Sequence, residues 1–332
     1  MDSESVGAPD SHDASRPNLI TPKVSVLITA FNRASLLPSA IDSVLAQRFG
    51  DFELIIVDDC STDGTLDVAR RYQRLDARVR VVANEQNLGD YGNRNQAASQ
   101  ARAPLFKYHD SDDLMYPHCL EVMVSMLEAE PRAGFGLTAG QTWPGGPCPM
   151  LLTPRMAYQR EFFGGGLFMC GPAGALFRTE VFRALGGFPL LGPHSDTLFW
   201  LHACKTTSCV LMPADLFWYR VHQGQHLQTA AGRYDALPLF RRFWNALESA
   251  DCPLTDVERV QAKRNAAFKL AKKTLQDIRE GEWRRAGERV RASSMTIGEW
   301  VRYLRPARRS RFAGTPLGAH GEFQLPSWLE PK

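Results

Sequence analysis

No apolar run in this chain reaches the roughly 20 residues that a bilayer-spanning helix requires, because Asp, Arg or His interrupts each one. The first residues also lack the basic start and unbroken apolar stretch of a secretory signal. The expectation is a cytoplasmic protein, soluble or peripheral to the inner face of the membrane. Cysteine is sparse: seven residues, an odd number, scattered and without a C-x-x-C pair. That spacing indicates neither a disulfide framework nor a zinc site, and a reducing compartment fits it best. A formal net charge of +3 is too small to argue for nucleic acid as a partner. Internal repeats and low-complexity runs are missing from the segments patterned to fold.

What is present is ordinary for a globular protein: 44% hydrophobic and 10% aromatic residues in a chain of 332, longer than a single core usually grows. One large domain with an appendage is expected. Residues 1–18 carry Ser, Asp, Pro and Gly with almost no large apolar side chain, and read as a flexible tail. Residues 19–230 carry α/β patterning. Residues 231–332 are helical in pattern and basic, with Lys and Arg outnumbering Asp and Glu from Arg241 to Arg311 and with Trp283 and Trp300 as expected packing anchors.

Val24-Ser-Val-Leu-Ile-Thr29 is short, β-rich and follows Pro22, the pattern of a buried strand. Leu37, Ala40, Ile41, Val44 and Leu45 then recur at helical spacing. Phe52-Glu-Leu-Ile-Ile-Val57 is a second strand, running into Asp58-Asp59-Cys60-Ser61-Thr62-Asp63-Gly64, a cluster of turn formers and helix caps. A helix through Leu66, Ala69, Tyr72 and Leu75, a strand over Val79 to Val82, a helix from Tyr91 to Ala101 and a strand from Leu105 to Tyr108 follow. Strands alternating with helices imply a doubly wound, mainly parallel sheet flanked by helices, whose ligands bind beyond the carboxyl ends of the strands. Asp58, Asp59, Asp110, Asp112 and Asp113 all fall at such ends. Gln141 to Gly166, rich in Pro and Gly, reads as a loop; a strand at Gly174 to Phe177, helices after Thr179 and Asp196, and a strand at Cys209 to Met212 come after it.

Carboxylates pressed together, as in Asp110-Ser111-Asp112-Asp113, repel unless protons or a cation intervene. Hard oxygens suit Mg2+ or Mn2+, which bind through one or two carboxylates and take further ligands from substrate phosphates. A solvated acidic turn is the plainer reading of the same residues. For Asp58-Asp59 the plain reading is a helix start, which needs one carboxylate; the second can accept from the N–H edge of a uracil or guanine ring. Asn87-Leu-Gly89 and Asn93-Arg94-Asn95 place an Arg near a helix start, where anions are favoured. His222-Gln-Gly-Gln-His226 has i, i+4 spacing, but Gly224 argues against a helix and no Glu follows the first His, so a zinc site is not assigned. Phe162, Phe163 and Trp143 beside Gly164-Gly165-Gly166 either stack on sugar or pack as ordinary loop residues. Arg302, Arg305, Arg308, Arg309 and Arg311 form either a contact to anionic lipid head groups or a solvated helix end.

In order along the chain, Val24-Ser-Val-Leu-Ile-Thr-Ala-Phe-Asn-Arg33, Val57-Asp-Asp-Cys-Ser-Thr-Asp-Gly-Thr65, Asn87-Leu-Gly89, Arg94-Asn95 and Asp110-Ser-Asp-Asp113 resemble the motifs of family 2 glycosyltransferases. Gly186-Gly187-Phe188, Ser195-Asp196 and Tyr219-Arg-Val-His222 resemble that family's acceptor-side sequence, so the resemblance spans about residues 22–226. It implies a GT-A fold over 19–230, with 19–115 as the nucleotide-binding half and 116–230 as the acceptor-binding half. It also implies roles. Ala30, Phe31, Asn32, Arg33, Asn87, Gly89 and Arg94 belong to the nucleotide site, and Asp59 contacts the base. Asp110 is the first acid of its motif, Asp112 and Asp113 serve ribose and metal, His222 is a candidate metal or diphosphate ligand, and Asp196 is the catalytic base. The sequence departs from the family at Ser195, usually acidic, and at Ala30, usually Pro.

The reaction implied is a metal-assisted single displacement with inversion. A sugar passes from a nucleoside-diphosphate sugar, UDP- or dTDP-linked, to a hydroxyl of a glycan or related acceptor in polysaccharide biosynthesis. Mg2+ or Mn2+ is the implied cofactor. Two other classes are weighed. A silent sugar-nucleotide or glycan-binding relic would be expected to have lost one of the acids. A nucleotidyltransferase would need a Gly-rich, basic phosphate-binding start, which is lacking at Thr29 to Arg33.

Overall fold

The computed structural model describes residues 21–138, 149–164, 166–222 and 237–304. The expected tail, Trp143, Gly165, His226, Arg305, Arg308, Arg309 and Arg311 lie outside the described residues. The first half alternates as the sequence pattern requires: β1 (Val24–Ala30), α1 (Leu37–Leu45), β2 (Phe52–Asp58), α2 (Thr65–Leu75), β3 (Val79–Ala83), α3 (Asp90–Gln100) and β4 (Leu105–Asp110). β1 is an unbroken apolar run because helices cover both faces of the sheet, and α1 turns Leu37, Ala40, Ile41 and Val44 inward against it.

Then come β5 (Leu114–Met115), α4 (Cys119–Glu128), β6 (Ala133–Thr138), β7 (Met150–Leu152), α5 (Pro154–Phe163), β8 (Ala175–Arg178), α6 (Thr179–Ala184), α7 (Ser195–Ala203), β9 (Ser208–Met212) and β10 (Phe217–Trp218). Among the described residues the main sheet runs β3-β2-β1-β4-β8-β6-β9-β7. The β3-β2-β1-β4 part is parallel, whereas β8 runs antiparallel to both β4 and β6 and β7 runs antiparallel to β9. The short strands β5 and β10 form a separate antiparallel ribbon. α5 and β7 correct the expectation of a loop over 141–166. Pro154 is not a breaker here but the first helical residue, where its missing N–H costs nothing, and the Thr153 side chain accepts from Met156 N–H as the cap.

The sheet separates an aliphatic layer from an aromatic one. In the aromatic layer Phe177 stacks between Phe106, at 4.7 Å, and Trp200, at 5.4 Å, and Phe188 and Phe199 pack edge-on around it. This cluster sits under the turn that precedes α7 and fixes where that helix begins.

The C-terminal helices are α8 (Leu237–Glu248), α9 (Asp256–Arg279), α10 (Trp283–Ser293) and α11 (Ile297–Leu304). Trp283 does not anchor them, being 68% exposed on the outer face of α10; the buried anchor is Trp244, which meets Tyr303 edge-on at 5.2 Å. α9 opens with a capping box between Thr255 and Glu258. The same Glu258 carboxylate accepts from Arg155, at 2.9 and 3.2 Å, and from Gln159, at 2.6 Å, and so ties α9 to α5. Burial raises its pKa, but the bonds from Arg155, the Thr255 amide and Gln159 outweigh that and bring it from 4.5 to about 2. A folded-state value below the unfolded one means that the stabilisation is complete above pH 4.5 and is lost as pH falls toward 2. Glu258→Gln is expected to lower the urea midpoint at neutral pH and to flatten its decline between those two values.

Candidate active site

β1 lies between β2 and β4 at the point where the strand order reverses, and the registers bring its end level with theirs: Ala30 faces Asp58 and Thr29 faces Asp110. Crevices open at such positions, outside the carboxyl ends of the strands. Two non-glycine residues there hold left-handed backbone, Asn32 at φ 53 and Cys60 at φ 61. Cross-bonds maintain the strained turns: Asn32 N–H donates to Ser61 Oγ at 2.9 Å, Thr62 N–H donates to Asn32 Oδ1 at 2.9 Å, and Ser61 N–H donates to Asp58 Oδ2 at 3.0 Å. Phe31 remains 46% exposed at this rim, with exposed Leu88 on the loop beyond β3.

Asp59 is almost wholly buried. Its Oδ1 accepts from Asn84 Nδ2 and Leu88 N–H, both at 2.8 Å, and its Oδ2 accepts from Gly89 N–H at 3.0 Å. Asn87 closes the same loop, donating to the Asp59 carbonyl at 3.1 Å and accepting from Gly89. The carboxylate assigned to base contact is therefore already the anchor of the 84–89 loop.

The acids after β4 are compensated one by one. Asp110 pairs with the buried Arg94 at 2.8 Å, and Arg94 also pairs with Asp90, four residues earlier on α3, at 2.8 Å. Burial raises the Asp110 pKa, but the guanidinium of Arg94 outweighs it and holds the carboxyl below its usual value. Asp112 Oδ2 meets Arg33 Nε at 3.2 Å and His222 Nε2 at 3.1 Å. Asp113 is buried and pushed up to about 7 by desolvation and then by Asp110. Its Oδ1 accepts from Arg220 N–H at 3.0 Å, and its Oδ2 has no hydrogen-bond partner. The β5–β10 ribbon makes these contacts possible by laying residues 219–222 across the acidic turn, where Arg220 also donates to the Asp112 carbonyl and to Ser39. Among the described residues no three His, Cys, Asp or Glu side chains are grouped to hold a metal ion by themselves.

Asp196 lies in the first turn of α7, after His194 in left-handed backbone at φ 69. Ser195 does not cap the helix; its hydroxyl donates back to the Gly192 carbonyl at 2.7 Å. Asp196 Oδ1 accepts from Thr197 N–H at 2.7 Å. Burial pushes its pKa above the ordinary value despite that bond. Of the residues singled out by sequence, Arg33, Asp112 and His222 meet in one cluster and Arg94 with Asp110 in the next, while Asp59, at the end of β2, anchors Asn87 and Gly89 in the loop between β3 and α3. The backbone of Arg220 was not among them; no spacing in sequence pairs it with Asp113, 107 residues away. Phe162 is buried edge-on to Phe243 at 5.7 Å and presents no free ring to a sugar, while Phe163 is half-buried against the same cluster.

The sequence model described as Glycosyl transferase family 2 matches residues 25–186. TuaG of Bacillus subtilis (strain 168), whose name assigns it provisionally to teichuronic acid biosynthesis as a glycosyltransferase, is 41% identical over 106 residues, covering 32% of this chain and 42% of TuaG. The chain spans about half the length of the curated relatives it matches. Among solved structures, residues 1–349 of S. aureus TarS in complex with UDP-GlcNAc align with a TM-score of 0.58 at 22% identity, over 82% of this chain and 81% of that one. A mannosyltransferase from Pyrobaculum calidifontis, PcManGT, in complex with GDP-Man and Mn2+, aligns with a TM-score of 0.56 at 19% identity, over 86% of each chain. Identities this low establish a shared fold.

Arg94 is the buried cation on which Asp90 and Asp110 both depend. Arg94→Leu is expected to cost about 3–5 kcal/mol in urea unfolding, the range for breaking a buried pair from one side. Adding Asp110→Asn should restore part of that loss.

Proposed function

Through residues 25–186 this chain is a member of glycosyl transferase family 2, and on that premise we propose that it moves a sugar from a nucleoside-diphosphate sugar to an acceptor hydroxyl, with inversion at the anomeric carbon. The observation that carries the reading is a single helix turn facing two ways. At the start of α3, Tyr91 lies within electrostatic reach of Asp196, a carboxylate raised by burial, while Arg94 holds Asp110 at the acid cluster. A raised carboxylate opposite a set of compensated acids is the arrangement that a proton acceptor and a diphosphate site require.

Asp112 and His222 fit a divalent cation: a hard oxygen and an imidazole nitrogen face each other at 3.1 Å, beside the unpartnered Oδ2 of Asp113. One carboxylate and one imidazole leave room for diphosphate oxygens, as Mg2+ or Mn2+ sites commonly do. When bound, the ion supplies Lewis-acid stabilisation of charge on the leaving diphosphate. In the free protein Arg33 occupies one face of Asp112, and we assign it to the phosphates when donor enters. Asp113 serves as the seat of the Arg220 amide, which keeps residues 219–222 over the site. Exposed Phe31 and Leu88 offer apolar surface for the base, with Asp59 holding the loop that shapes that pocket. We favour a UDP- or dTDP-linked donor and a glycan acceptor, in line with the UDP-GlcNAc bound to TarS and the teichuronic acid role assigned to TuaG. The exposed Ile297, Val301 and Arg302 of α11 support peripheral contact with an anionic, cytoplasmic membrane face.

Asp196 takes the proton from the acceptor hydroxyl as that oxygen attacks from the face opposite the nucleoside diphosphate. The base must be ionised to act, so transfer should rise with pH through its raised pKa. A silent binding protein is disfavoured because none of Asp59, Asp110, Asp112, Asp113 or Asp196 has been lost.

The test is to incubate the protein with a panel of nucleotide sugars and Mn2+ and to measure the nucleoside diphosphate released. EDTA should abolish release, and Mg2+ or Mn2+ should restore it; full release in excess chelator would sink the metal assignment. Asp196→Asn keeps shape and helix start, so melting temperature and nucleotide affinity should hold while transfer falls by about 10²–10⁴-fold. Wild-type transfer by that folded variant removes Asp196 from the mechanism.

A further inference from the structure

A cavity of about 620 Å³, of the size that small ligands occupy, lies between α7, α8 and the turn that joins α6 to α7. Leu198, Leu201 and His202 of α7, with Lys205 just after it, line the cavity at helical spacing on the face turned away from Asp196. Arg242 and Asn245 of α8, with Ser249 just after it, repeat that spacing on the opposite wall. Lys205 Nζ donates to Ser249 Oγ at 3.4 Å and pairs with Asp251 at 2.7 Å. Arg242 is exposed and forms no ion pair among the described residues, and no carboxylate lines the groove. Pro189 and the exposed Leu191 of the turn extend the aliphatic wall. Leu191 N–H donates to Ser195 Oγ at 3.3 Å, so this side of the groove abuts the residue next to Asp196.

We propose that this groove is a subsite for an acidic glycan, whose terminal hydroxyl meets Asp196 while the units behind it pass over the start of α7 and bring their anionic groups to Arg242 and Lys205. The proposal rests on the reading of the chain as a glycosyltransferase with Asp196 as its base. Arg242 precedes Ser249, which holds Lys205, by about 10 Å along the helix. Cations set apart along a groove suit a ligand that repeats its charge along a chain. His202 and Asn245, between them, offer polar atoms to hydroxyls, and the leucines with Pro189 offer apolar surface to the C–H faces of sugar rings. The Asp251 side chain is 58% exposed, so solvent screens its hold on Lys205 and an anion in the groove can share that ammonium.

Calorimetric titration of the whole protein tests this with three probes: oligogalacturonate, an oligomeric glycerol phosphate, and maltohexaose as the neutral chain. An acidic oligomer should bind, maltohexaose far more weakly, and added NaCl should weaken the acidic one. Arg242→Glu should raise its dissociation constant on the order of tenfold, with Arg242→Lys close to wild type and with UDP affinity and melting temperature unchanged. Arg284→Glu, at an exposed position on α10, controls for overall charge and should bind as wild type does. Binding in that pattern supports the subsite, and the tighter acidic oligomer identifies the anion as carboxylate or phosphodiester. Equal binding of maltohexaose, no binding of either acidic oligomer, unchanged binding by Arg242→Glu, or an equal loss in Arg284→Glu overturns it. If the acidic oligomer binds as expected and no nucleotide sugar in the panel releases its diphosphate, the groove stands as a glycan site and the transferase reading falls.

Discussion

Three carboxylates within four residues at the end of β4 cannot remain charged side by side without compensation, and much of the surrounding architecture supplies it. Each acid receives a different answer. Asp110 has a buried guanidinium that arrives from α3 already paired with Asp90. Asp112 has Arg33 from the turn after β1 and His222 from beyond β10. Asp113 has the Arg220 backbone amide and a proton affinity raised by burial. Three separate segments are thus held at one point by the same electrostatic demand, and that point is the reversal of the strand order.

The two halves of the sheet do different work around that point. The parallel β3-β2-β1-β4 part delivers strand ends and strained turns, whose geometry is fixed by backbone registers. The mixed part delivers a hydrophobic platform: Phe177 on β8 and Phe188, Phe199 and Trp200 before and within α7 lock together, so that Asp196 leaves a rigid surface. α3 belongs to the first half in sequence and to both in contact.

The parallel half was legible because its strands are buried on both faces and read as continuous apolar runs, and because its turn residues are acids and small polar groups at strand ends. β5 and β10 were not, since strands of two residues carry no periodicity. α5 was hidden by the Pro and Gly around it, although Thr153-Pro154 is itself a helix start. Trp283 misled because a large aromatic suggests an anchor, whereas the surface of α10 leaves it in solvent. In the site, the sequence pointed to the acids but not to what neutralises them. Arg33 was expected in the nucleotide site and His222 at metal or diphosphate, and in the free protein both rest on Asp112.

The ribbon that closes the acid cluster also imposes an order in time. Asp112 and His222 are separated by 110 residues, and Ser39 and Arg220 by 181. Local helices and the parallel strands can condense while the chain is still being synthesised, but contacts of such range must await the arrival of the later segment and bear a larger loop-closure entropy. A nascent chain that ends before residue 220 lacks both the Arg220 amide on Asp113 and the His222 ring on Asp112, so the acid turn is closed only late in synthesis.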